Sequence, residues 1–149
     1  MVEIGGFAPG EPKLDPTNAV LIGARDIDEP EKRTLRDIGI AIYTMERIDR
    51  LGMHVVVKEA IDIASRGTDG VHVSFDVDSI DPTVAPGVGT PSRGGLTYRE
   101  AHTAMELIAE SRMLSSLEVA EVNPILDDRN STARVAVELV ASALGKRII

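Results

Sequence analysis

Asp76 and Asp78 are the residues of this chain whose type and spacing most directly suggest chemistry. They end an apolar run, residues 71–77, that reads as a strand. Residues i and i+2 of a strand share a face and lie about 6.5–7 Å apart. Two carboxylates held that close repel each other unless a cation stands between them. A divalent metal, or a pair of metals about 3.5–4 Å apart, removes the repulsion. Hard oxygen donors favour Mn2+ or Mg2+. The same Asp-x-Asp pattern also fits a solvated strand end with turn-forming aspartates. The following segment, residues 79–95, is long for a connection in a parallel sheet. Pro82, Pro86 and Pro91 stiffen it, and Gly87, Gly89, Gly94 and Gly95 allow backbone to approach a ligand closely. A long surface loop is the alternative reading.

Glu121 closes a second apolar run, LEVAEV. A carboxylate there suits a planar guanidinium met in bidentate fashion, or an ion pair with one of the chain's own arginines. Asp26 and Asp28 follow a third apolar run, whereas Glu46 and Asp49 read as the solvated start of a connection. His72 shares the parity of Asp76 but lies about 13 Å from it along a strand, and is expected in the core rather than as a ligand. His54 and His102, near or on helices, are expected at the surface. No Ser-His-Asp arrangement or P-loop occurs, and Gly87-Val88-Gly89 lies in a Pro-Gly-rich loop instead of opening a helix.

These residues need a scaffold. Apolar runs predict strands at 19–24, 40–45, 71–77 and 117–122. Helical spacing predicts helices at 31–38, 53–64, from Thr97 onward and at 131–144, with Gly67 and Gly145 as stops. Thr97 with Glu100 three residues later forms a capping-box signature. Residues 1–18, rich in glycine and proline, read as a loop, leaving 19–149 as the folded domain. Strands and helices alternate four times, and the strands are nearly continuous in apolar character. That predicts an α/β fold, a parallel sheet flanked by helices on both faces. Ligands of such sheets gather at the carboxyl ends of the strands, where the acids stand.

Composition agrees. The chain has 149 residues, of which 43% are hydrophobic, enough for one domain with a core. A net charge of −8 supplies no basic footprint for nucleic acid or an anionic membrane, and suits metal ions or cationic substrates. The absence of cysteine excludes disulfides, thiolate metal sites and cysteine nucleophiles. With no basic-then-apolar leader and no run of 18 apolar residues, a cytoplasmic location is expected.

Three longer motifs carry a family resemblance: SFDVDSIDP at 74–82, APGVGTP at 85–91 and GGLTYRE at 94–100. Together they resemble the ureohydrolase family. Glu121-Val122-Asn123-Pro124, with Asp127 and Asn130, is similar to arginases more than to agmatinases. Arg25-Asp26-Ile27-Asp28 with Glu31 resembles the arginase segment that meets the amino-acid end of the substrate. The resemblance implies a dimanganese hydrolase that converts L-arginine to L-ornithine and urea. It implies that Asp76 bridges two Mn2+ ions and Asp78 binds one. By the same resemblance Glu121 holds the guanidinium, Thr90 lies along the pocket, and Asp28 with Glu31 reaches the α-amino group. Arg99 and Glu100 match positions near subunit contacts.

The departures matter equally. Arginases carry four further metal ligands in a Gly-Gly-Asp-His motif and an Asp-x-His-x-Asp motif, and neither occurs in this sequence. The family chain is about twice as long, and this sequence resembles its C-terminal half. A family strand would then be missing between the strands at 19–24 and 71–77. The expectation is two strand pairs with a gap that closes or drives self-association, loose Mn2+ binding, and no activity of the chain alone. The partners expected are L-arginine and either a second copy or the N-terminal half. A non-catalytic partner-binding or oligomerisation module, and another ureohydrolase such as an agmatinase, are the alternatives.

Overall fold

A computed structural model describes residues 14–147. In it, β1 (Val20–Ala24) pairs in parallel with β2 (Ala41–Thr44), and α1 (Glu29–Ile38) makes the crossover. Next come α2 (Met45–Leu51) and α3 (Met53–Ala64). β3 (Val71–Asp76) pairs in parallel with β4 (Leu114–Ala120) through α4 (Tyr98–Ser111), and α5 (Ser131–Ala143) follows. The fold is α/β, but the strands form two sheets of two strands each in place of one sheet of four. The gap expected between the pairs is open. Most of the loop expected over residues 1–18 lies outside the described residues; of the rest, Pro16–Asn18 forms a single 3-10 turn.

Local chemistry explains where the helices start. The Asp28 carboxylate accepts from the amide of Glu31 and caps α1 two residues earlier than periodicity suggests. Thr97 and Glu100 form the reciprocal capping box that opens α4. Thr44 caps α2, a helix where the sequence leads one to expect a solvated connection. Its seven residues bury only Ile48, too little for an apolar stripe to show.

Each sheet has its own core. Phe75, Val77, Ile80, Met105 and Leu139 centre the cluster that joins β3 to α4 and α5. Tyr43, Ile48, Met53, Val56 and Val57 centre the other, around β1, β2, α2 and α3. The two meet where α3 packs on α4 and where Leu96, which precedes α4, is buried in the second cluster. Two histidines reverse their expected places. His72 is half exposed on the polar face of β3, with its Nδ1 at 2.8 Å from the Ser116 hydroxyl. His102 is buried between α4 and α5, bonded through Nδ1 to Ser142. The strand at 117–122 begins earlier, at Leu114, and ends before Glu121. No helix among the described residues is long and apolar enough to cross a membrane.

Candidate active site

The carboxyl ends of β1 and β3 face each other across the gap between the sheets. They enclose an open cleft of about 400 Å³ whose lining includes Arg25, Asp26, Glu31, Asp76, Asp78 and Thr90. Four acids and one arginine make this a cation-attracting space. β3 ends at Asp76, and Val77–Ser79 turns into one 3-10 helix, so Asp76 and Asp78 are not the strand neighbours that spacing suggested. Instead, the amide of Asp78 donates to Asp76 Oδ1 at 2.9 Å, which fixes one carboxylate against the backbone of the other. The Ser79 hydroxyl locks the same turn by donating to the Asp76 carbonyl at 2.6 Å. Thr90 crosses the loop and donates to Asp78 Oδ2 at 2.9 Å.

Burial raises the Asp76 carboxyl above its ordinary value. The Asp78 amide opposes that rise, the Asp78 charge adds to it, and Arg25 opposes it. A bound cation would relieve what burial and like charge impose. The pair therefore suits a hard divalent ion in kind. It does not suit one in number, because no group of three or more potential His, Cys, Asp or Glu ligands exists among the described residues. The chain's own residues supply part of a coordination shell.

The other residues singled out from sequence divide. Glu31, Asp76, Asp78 and Thr90 line the cleft together. Asp28 is exposed and engaged as the cap of α1. Glu121 stands exposed just beyond β4 in a left-handed backbone conformation, φ 63°, beside the loop that carries Thr90. Its Oε2 lies 3.9 Å from where a Cβ on Gly89 would be. Arg99 and Glu100 sit in the first turn of α4, outside the cleft lining, with Arg99 3.6 Å from Glu106.

Three residues that stand in the family motifs, but to which the motifs alone assign no individual role, support the site. Asp81 holds the long loop closed. It accepts from the amide and hydroxyl of Thr83 and from the amides of Gly94 and Gly95. The Thr83 hydroxyl and amide, with those glycine amides, hold its carboxyl at about 2. The Asp81-Pro82-Thr83 sequence is an Asx-turn signal that could have revealed it. Asp127 accepts from Ser131 and from the amides of Thr132 and Ala133, covering the start of α5. Burial pushes its carboxyl up, but these bonds outweigh burial and leave it below the ordinary value. The third is Arg25, whose guanidinium donates to the Asp78 and Ser92 carbonyls.

Comparison with known proteins gives this geometry a lineage. Residues 6–145 match the model of the arginase family. An arginase of Bacillus caldovelox is 53% identical over all 149 residues, which cover 49% of that protein. A native structure of arginase from the same organism superposes with a TM-score of 0.92 at 54% identity, over 98% of this chain and 48% of that one. Formimidoylglutamase from Bacillus subtilis superposes with a TM-score of 0.82 at 28% identity, over 87% of this chain and 41% of that one. The chain thus spans about half the length of the curated relatives it matches. The chain belongs to the arginase family.

Proposed function

We propose that this chain supplies one half of an arginase-type hydrolytic site, for which the substrate is L-arginine and the products are L-ornithine and urea. The observation that carries this reading is the Asp76–Asp78 pair, fixed by backbone and by Thr90 at the mouth of an acidic cleft, in a chain of this family. Asp76 and Asp78 would hold Mn2+, and the ion supplies a water of lowered pKa when bound. Glu121, whose carboxylate lies near Gly89, would receive the cationic guanidinium through a charge-assisted bond. Asp28 and Glu31, at the β1 side, would draw the α-amino group. Asp26 adds to the same negative field. Fold does not select the substrate, because formimidoylglutamase from Bacillus subtilis shares the fold. The case for arginine rests on Glu121 and the acids near β1.

Among the described residues the carboxylate pair has no further protein ligand beside it, and the unpaired edges of β1 and β3 offer an added polypeptide segment a place to pair as a strand. Those same edges support a second reading, a partner-binding module that self-associates. One experiment separates the two. The chain is mixed with a polypeptide covering the other half of an arginase relative, with Mn2+, and urea is measured. We expect release only in the mixture and its loss in Asp76→Ala. Binding of the partner without urea would favour the module. Urea from the purified 149-residue chain alone, lost in Asp76→Ala, would overturn the half-site reading.

A further inference from the structure

We propose that Arg25 is a positioning residue whose guanidinium straps the loop carrying Asp78, Thr90 and Ser92 to the end of β1, and so sets the width of the cleft. Its Nη2 donates to the Asp78 carbonyl at 2.6 Å and to the Ser92 carbonyl at 2.8 Å, while Nε donates to Ser92 at 3.2 Å. Arg25 directly follows β1, so these bonds tie one strand pair to the other. Among the described residues no other side-chain hydrogen bond joins the two halves of the fold. Elsewhere the halves meet through apolar packing of α3 on α4 and of Leu96. Apolar packing resists separation but has little directional preference, whereas a planar fork on two carbonyls fixes an orientation. The strap is also local to the site. One of its acceptors belongs to Asp78, whose carboxylate Thr90 holds from the same loop. A shift of that loop would move Asp78 and Thr90 together relative to Asp26 and Glu31 on the β1 side.

The mechanical part of this inference stands apart from the hydrolytic reading, and only its kinetic consequence rests on that reading. The chain has no cysteine, so spin labels can be placed cleanly at Asp37→Cys on α1 and Val137→Cys on α5, both exposed positions. Distances between the labels are then compared for the parent, Arg25→Lys and Arg25→Met. A lysine keeps the charge without the fork. We expect a narrow distribution for the parent and equally broadened ones for both variants. If Arg25→Lys matches the parent, the residue acts as a charge and the strap is overturned. Coinciding distributions for all three would overturn it as well. Should Arg25→Met fail to fold, the Arg25→Lys comparison still decides. In the complemented, Mn2+-loaded mixture, Arg25→Lys should lower kcat on the order of 10²-fold while KM for L-arginine stays within about threefold, the pattern of misplaced groups. An unchanged kcat would overturn the positioning role. A parent mixture that releases no urea would overturn the hydrolytic reading and leave the strap to the distance measurement.

Discussion

α5 buries Leu139 and Ala136 in the cluster that contains Phe75 and Val77, whereas α1, the helix that follows β1, buries no residue. The same contrast runs through the acids. Asp76 and Asp78 are partly buried and held by named bonds, while Asp26, Asp28 and Glu31 are exposed. The half built on β3 and β4 fixes its own functional loop through Asp81 and the start of α5 through Asp127. The half built on β1 and β2 contributes charge from an edge that little covers. Geometry and electrostatics are thus divided between the halves, and Arg25 is where they are joined by hydrogen bonds.

The largest effects should come from breaking the packed half. Leu139→Ala removes a fully buried side chain and should cost about 2–5 kcal/mol, whereas Ile38→Ala, at the exposed end of α1, should stay within about 0.5 kcal/mol. Chemical denaturation of both variants measures the ratio, and equal losses would erase the contrast. Gly87→Ala tests the loop itself. A methyl there would lie 2.4 Å from the Asp127 Cβ and 2.9 Å from its Cα, so we expect a loss on the order of 1–3 kcal/mol. The same denaturation series reads it.

Asp81 sharpens the comparison through pH. Its folded-state carboxyl, at about 2, lies below the ordinary 3.8, so its stabilisation is fully present above that ordinary value and is lost as pH falls toward 2. Thermal melts from pH 7 to pH 2.5 should show Asp81→Asn less stable than the parent at neutral pH, with the difference shrinking on acidification. A difference that does not shrink would show that Asp81 acts through shape and not through charge. The smallest effect belongs to the exposed half. Glu46→Gln removes a surface i,i+4 pair with Arg50 and should cost about 0.3–0.5 kcal/mol, less in high salt. A larger loss would mean that α2 anchors its sheet more firmly than its single buried residue suggests.

Much of the scaffold was legible because local rules decide it. Apolar runs predicted the four strands, the spacing at Val56, Val57 and Ala60 predicted α3, and Thr97 with Glu100 predicted the start of α4. The Asp-x-Asp pair drew attention to the right cleft. Its members are not strand neighbours, because the chain leaves the strand at Asp76 and coils into a 3-10 turn, a choice made by the hydrogen bonds of Asp76 and Ser79. α2 escaped notice because seven polar-rich residues with one buried side chain carry no periodic signal.

Residue type and spacing by themselves determined the α/β class, the acid-rich strand ends and the kinship with arginases, because these depend on properties each segment carries alone. Tertiary structure decided the rest. It buried His102 between two helices and exposed His72, since burial depends on what packs against a face and not on the residue that occupies it. It left the gap between the two strand pairs open, since a strand pairs only with an edge within hydrogen-bonding reach. It also brought Arg25 against the carbonyls of Asp78 and Ser92, residues 53 and 67 positions away. No local pattern encodes a contact at that separation, which exists only when both halves have folded.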